Sequence, residues 1–139
     1  MIVVDASVVV TALGDDHADG DHARHRLSGE RLAAPELIDL EVTSVLRRLV
    51  RGGRMPPRRA ELALADLMAL PLERVAHRPL LAGCWDLRDH LSTYDAAYAT
   101  LAGHLGVVLV TADTRMAAAP GLPCEVELLD PRMAGPGIG

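Results

Sequence analysis

Apolar residues in this chain fall either into short unbroken runs or into stretches where they recur every three or four positions. The first pattern reads as buried strand and the second as amphipathic helix. Ile2 to Val4 opens the chain as a short run, consistent with a strand buried in a parallel sheet. A short helix is expected over Ser7 to Leu13, a polar loop over Gly14 to Asp21, and a weak helix over Asp21 to Leu27. Arg31 to Ala34 reads as a second strand, closed by Pro35.

The strongest periodicity lies in Glu36 to Arg51, where Ile38, Val42, Val45, Leu46 and Leu49 form one stripe. Gly52 and Gly53 stop that helix, and Pro56 and Pro57 open another that runs to about Leu70. Leu72 to Ala76 is a third strand and Pro79 to Leu91 a helix, with Trp85 and the apolar residues around Leu81 and Leu87 assigned to the core. Ser92 or Thr93 caps a further helix that ends at Gly106. Val107 to Val110 is the clearest strand, followed directly by Thr111, Ala112 and Asp113, and Val126 to Leu129 is the last. The Gly- and Pro-rich residues 133–139 read as a frayed tail. Strands alternating with helices imply an α/β domain with a parallel sheet covered on both faces. With no repeat and no linker, residues 1–132 are expected to form a single domain.

Composition narrows this picture. A chain of 139 residues can bury one real core, and 50% hydrophobic residues exclude general disorder. Aromatic residues make up only 2%, with no Phe, so the core must be Leu, Val and Ala. That scarcity also argues against holding single-stranded nucleic acid mainly by base stacking. Cys84 and Cys124 lack metal-ligand spacing and read as buried thiols. There is no signal peptide and no apolar run long enough for a membrane span, so a cytoplasmic, soluble protein is expected.

The net charge of -5 disfavours an anionic partner in sum, but its distribution matters more. Every basic residue is Arg, and Arg47, Arg48, Arg51, Arg54 and Arg58 crowd one stretch, with Arg59 adjoining. Guanidinium groups grip phosphate with a planar fork of donors, which makes this stretch a candidate RNA-phosphate face. A solvated helix face reads equally well.

In an open parallel sheet, ligands bind beyond the carboxyl ends of the strands. Asp5 and Asp113 both stand there. Either alone could be a helix cap, but two acids leaving separate strands are harder to explain that way. Asp95 stands in the first turn of its helix, where Ser92-Thr93-Tyr94-Asp95 resembles a capping box. Glu41 and Asp39 border opposite edges of the apolar stripe of the Glu36 to Arg51 helix, and periodicity does not choose between them. The acids and histidines from Asp15 to His25 (Asp15, Asp16, His17, Asp19, Asp21, His22, His25) match no metal motif and read as solvated. His77, His90 and His104 are isolated, and Tyr94 and Tyr98 could line the site but are assigned to core packing.

Four segments carry a resemblance. Val3-Val4-Asp5-Ala6-Ser7, then Pro35-Glu36-Leu37-Ile38-Asp39-Leu40-Glu41-Val42 with Leu46-Arg47-Arg48-Leu49, then Tyr94-Asp95-Ala96-Ala97-Tyr98 with Leu101-Ala102, and finally Leu109-Val110-Thr111-Ala112-Asp113 follow in order. Together they resemble PIN-domain ribonucleases, in the order and spacing of the VapC toxins of toxin–antitoxin systems. The resemblance implies a PIN-like three-layer α/β/α fold with about five parallel strands. It maps the family's acids onto Asp5, Glu41, Asp95 and Asp113, which favours Glu41 over Asp39, and its small hydroxyl residues onto Ser7 and Thr111. Thr114 and Arg115 stand where many members carry a further acid or amide. It further implies Mg²⁺, with Mn²⁺ as a substitute, held by the four acids for hydrolysis of RNA such as tRNA or rRNA. A VapB-like antitoxin and a homodimer are the implied partners.

Three other readings compete. A haloacid-dehalogenase-like phosphohydrolase needs a second Asp two residues after the first, where Ser7 stands. A response-regulator-like phosphoacceptor needs a Lys, and the chain has none. A catalytically inactive PIN binding module would have no need of all four acids.

Overall fold

The computed structural model describes residues 1–129. The tail at 133–139 and the last residues of the expected 1–132 domain lie outside the described residues.

Five strands form one sheet in the order β3-β2-β1-β4-β5, every neighbouring pair parallel. They are β1 (Ile2–Val4), β2 (Leu32–Pro35), β3 (Leu72–Val75), β4 (Leu109–Thr111) and β5 (Val126–Leu128). The helices between them are α1 (Ala6–Gly14), α2 (Ala18–Leu27), α3 (Ile38–Arg51), α4 (Pro57–Ala69), α5 (Leu81–Asp86), α6 (Thr93–Leu105) and α7 (Thr114–Ala118). Helices α1 to α4 pack on one another, while α6 lies across β1, β2 and β4 with α5 stacked on it. This is the expected three-layer α/β/α arrangement. The central strands are short and wholly buried, as their unbroken Ile, Val, Leu and Ala runs require.

The chain runs outward from β1 to β2 and β3, then returns across the sheet to β4 and continues to β5. The order therefore reverses between β1 and β4, and such switch points leave a crevice at the strands' carboxyl ends. The register Val3↔Leu109 and Val4↔Val110 makes Asp5 and Thr111 the next neighbours beyond the paired residues. An Asp5 N–H bond to the Val110 carbonyl, 3.0 Å, extends that register.

Three local expectations are corrected. Helix α2 begins at Ala18, inside the stretch expected to be loop. The Asp15 carboxylate accepts from His17 N–H at 2.7 Å, and Arg24 donates to the carbonyls of Ala12 and Asp15, so side chains compensate for weak periodicity there. The helix expected over Pro79 to Leu91 is a 3₁₀ turn, Arg78–Leu80, followed by the short α5. Leu80, Cys84 and Leu87 enter the core, but Trp85 is 68% exposed and Leu81 57%. One face of so short a helix cannot bury both sets, and Trp85 instead stacks under the Arg88 guanidinium, 4.8 Å from the ring centroid. Helix α7 is new to the structure, its five residues being too few for a period to show. Both cysteines are free thiols, Cys84 buried and Cys124 partly so.

Candidate active site

Asp5 is the residue on which the switch point is built. It stands in the N-cap position of α1, yet its side chain makes no capping hydrogen bond. Its carboxylate, 6% exposed, turns across the crevice toward β4. Oδ2 accepts from Ser7 Oγ at 2.7 Å and from Thr111 Oγ1 at 2.8 Å. Each hydroxyl is in turn oriented by the backbone after β4: Ala112 N–H donates to Ser7 Oγ and Asp113 N–H to Thr111 Oγ1. Two hydroxyls thus lock one carboxylate oxygen, which satisfies an otherwise costly buried charge. No protein donor reaches the other oxygen among the described residues. The two supporting residues, Ser7 and Thr111, are therefore in contact with the acid beside which they were expected.

Asp113 does cap its helix. Oδ1 accepts from Arg115 N–H at 2.9 Å, and the exposed Arg115 guanidinium lies 3.4 Å from Oδ2. Asp95 reaches the site from the first turn of α6. Its N–H donates to Ser92 Oγ at 3.1 Å, so Ser92 is the cap and the half of a capping box that would occupy the Asp95 carboxylate is not made. Burial first, then the charge of Asp5, and further the charge of Asp113, push the Asp95 carboxyl above its ordinary value.

Glu41 and Asp39 part company in the structure. Asp39 takes a bidentate ion pair from Arg74 on β3, at 2.7 and 3.0 Å, and serves to tie α3 to the sheet edge. Glu41 instead meets Tyr98 of α6 and feels the charges of Asp5 and Asp95. Burial raises its carboxyl, the charges of Asp5 and Asp95 raise it further, and a hydrogen bond from Tyr98 opposes them. Tyr98 Oη donates to Glu41 Oε1 at 2.6 Å. Tyr98 is fully buried, as expected, whereas Tyr94 is 66% exposed. Tyr98 thus both packs in the core and reaches the site, and its place one helical turn after Asp95 on the same face was a signal of the second role.

The four acids therefore act on one another electrostatically, but they do not close a cage. Among the described residues no group of three His, Cys, Asp or Glu side chains is gathered tightly enough to hold a metal ion alone. Mg²⁺ is commonly held by one or two carboxylates and keeps several waters, so it does not need three protein ligands in place. Hard oxygen donors without thiol or imidazole among them also fit Mg²⁺ or Mn²⁺ rather than zinc.

Arg47, Arg48, Arg51 and Arg54 are all exposed and none forms an ion pair among the described residues, whereas Arg58 pairs with Glu61 and Arg59 with Asp16. Arg48 follows Glu41 by seven residues and so lies on the same face of α3, about 10 Å further along. No helix among the described residues is long and apolar enough to cross a membrane.

Comparison with known proteins identifies the family. Residues 2–122 match the PIN domain family. The chain is 43% identical over 128 residues to Ribonuclease VapC1 of Mycobacterium tuberculosis, covering 91% of this chain and 96% of that protein. Among solved structures, PAE2754 from Pyrobaculum aerophilum superposes with a TM-score of 0.67 at 27% identity, over 90% of this chain and 81% of that one. A chain of VapBC2 from Rickettsia felis, solved bound to a DNA fragment from its promoter, shares the fold with a TM-score of 0.65 at 15% identity, over 92% of this chain and 98% of that one. On the family match and the near full-length identity together, this chain belongs to the PIN-domain family, within its VapC ribonuclease branch.

Proposed function

We propose that this protein is the toxin of a type II toxin–antitoxin pair and a Mg²⁺-dependent endoribonuclease that hydrolyses RNA phosphodiester bonds. What supports the reading is that Asp5 and Asp113 follow the adjacent strands β1 and β4, with Glu41 and Asp95 near enough to feel the charge of Asp5. Burial and the charge of Asp5 raise the carboxyls of Glu41 and Asp95, an arrangement poor for stability alone and good for a cationic cofactor.

Asp5 and Asp113 are the residues to hold the principal ion, with Asp95 to share it or hold a second and Glu41 to orient or activate water. Once bound, Mg²⁺, or Mn²⁺ in its place, supplies positive charge against the scissile phosphate and lowers the pKa of water. Asp5 is held in one orientation by Ser7 and Thr111, so its free oxygen presents a fixed donor. Glu41, whose carboxyl burial raises above its ordinary value, is the acid to take a proton from the attacking water. The water oxygen bonds to phosphorus as the bond to the 3′ oxygen breaks, leaving a 3′-hydroxyl and a 5′-phosphate. Arg47, Arg48, Arg51 and Arg54, exposed and without ion pairs among the described residues, are the candidates to bind flanking phosphates. Structured RNA such as tRNA or rRNA is the substrate class that the VapC resemblance implies. A VapB-like antitoxin and a second copy of the chain are the partners.

The structure disfavours the dehalogenase-type alternative, because the position needed for its second acid is Ser7, whose hydroxyl is committed to Asp5. Total RNA incubated with the protein, in Mg²⁺ or in EDTA and beside Asp5→Asn, tests the proposal. Cleavage is expected only for the natural sequence with Mg²⁺. Cleavage that survives EDTA or the substitution, or a 2′,3′-cyclic phosphate end, would overturn it.

A further inference from the structure

We infer that Tyr98 is a positioning residue for the reaction: its hydroxyl fixes the Glu41 carboxylate in the orientation from which it meets the attacking water. The inference rests on the ribonuclease reading above and adds a residue to it.

Glu41 would otherwise be the least constrained of the four acids. Asp5 is held by two hydroxyls and Asp113 by a backbone N–H, and Asp95 has a short side chain in a capped helical turn. Glu41 reaches the crevice through three rotatable bonds. Its backbone is well fixed, because the first turn of α3 is anchored on both sides. Leu37 N–H donates to His77 Nε2 at 2.9 Å, and Asp39 is clamped by Arg74. What remains free is the end of the Glu41 side chain, and Tyr98 Oη meets it there at 2.6 Å.

Tyr98 is well suited to this task. It is among the largest wholly buried side chains, so its ring is set by the core and its hydroxyl has one direction. It sits on α6 three residues after Asp95, so one helix presents an acid of its own and orients an acid of α3. The bond occupies Oε1 and leaves Oε2 with no protein partner among the described residues. A phenol with purely structural duties needs only some acceptor, and a main-chain carbonyl would serve. Here the acceptor is a side chain of the reactive set.

The test compares Tyr98→Phe, Glu41→Gln and the double variant for kcat, KM and thermal unfolding. Tyr98→Phe keeps the ring in the core. It is expected to lower kcat by about 10-fold to 100-fold with little change in KM, the scale of loss that follows from a misplaced reacting group. Glu41→Gln should lose at least as much, and the double variant no more than Glu41→Gln alone, because Tyr98 acts through Glu41. A folded Tyr98→Phe protein with unchanged kcat, a double variant whose loss is the product of the two, or a Tyr98→Phe protein that fails to fold would each overturn the assignment. The parent reading fails separately: if the natural sequence does not cut RNA in Mg²⁺, or Asp5→Asn cuts as well, it is the ribonuclease that is wrong. If Asp5→Asn is dead and Tyr98→Phe is fully active, only the role of Tyr98 is.

Discussion

Thr111 Oγ1 lies 2.8 Å from Asp5 Oδ2 and donates to it, joining two residues 106 positions apart across the β1–β4 seam. Thr111 is completely buried, and its hydroxyl also accepts from Asp113 N–H at 3.0 Å. One hydroxyl therefore holds one acid and orients the segment that carries another. Thr111→Val keeps the shape and removes both bonds. Leaving buried polar groups short of a partner costs roughly 1–3 kcal/mol. A lowered midpoint in urea unfolding, with weakened RNA cleavage, is expected. An unchanged midpoint would show that the hydroxyl contributes nothing.

Binding of Mg²⁺ should be visible without any substrate. A ligand that binds only the folded state stabilises it by about 2.7 kcal/mol at one hundred times its Kd. Thermal unfolding of the natural sequence is expected to shift upward as Mg²⁺ replaces EDTA, and Asp5→Asn to lose most of that shift. Equal shifts in both proteins would place the ion elsewhere.

Stability in EDTA should depend on pH in a direction set by Glu41 and Asp95. Burial and neighbouring acids raise both carboxyls above their ordinary values of 4.5 and 3.8. The folded state then binds more protons than the unfolded one across that window. The contribution is complete below the ordinary values and is lost as pH rises through the raised ones. Asp16 and Glu127, lowered chiefly by hydrogen bonds from Arg59 and Arg26, act with the opposite sign. Comparing the natural sequence with Glu41→Gln/Asp95→Asn from about pH 4 to pH 8 isolates the first pair. The double variant should gain relative stability as pH rises, and a difference that is flat with pH would refute the assignment.

Gly83 is required by packing. A Cβ there would collide with Thr100 Cγ2 and come within 2.8 Å of Thr100 Oγ1, where α5 stacks on α6. Overpacking of this kind costs about 1–3 kcal/mol. Gly83→Ala should lower the unfolding temperature, and Gly83→Ala/Thr100→Ala should recover part of the loss, since the neighbours couple. Additive losses would mean that the strain is relieved elsewhere.

The arginines at the end of α3 should act on RNA affinity rather than on the chemical step. Replacing Arg47, Arg48, Arg51 and Arg54 together by Gln is expected to raise KM and leave kcat nearly unchanged. The slope of log affinity against log salt should flatten by about 0.7 for each single-strand phosphate that is no longer neutralised. An unchanged slope would assign these residues to a solvated surface.

Much of this protein is legible one residue at a time. The unbroken apolar runs at Ile2 to Val4 and Val107 to Val110 each mark a buried parallel strand, the second shifted to Leu109–Thr111, and Gly52, Gly53 and Pro57 punctuate the helices between them. Strand ends in a parallel sheet point to one rim, which is why Asp5 and Asp113 could be singled out without coordinates. Features that depend on which neighbour lies alongside could not be read that way. Glu41 and Asp39 are equivalent on the helical wheel, and only the tertiary partners, Tyr98 of α6 for one and Arg74 of β3 for the other, tell them apart. Trp85 is outside and Tyr98 inside for the same reason: a hydrophobic period marks a face, and tertiary packing chooses what covers it. Local sterics and apolar spacing belong to the chain itself, so the elements and the candidate acids could be read from it directly. Which acids meet, and what holds them, waits on folding, because those bonds span residues as far apart as Asp5 and Thr111 and form only once the sheet has closed.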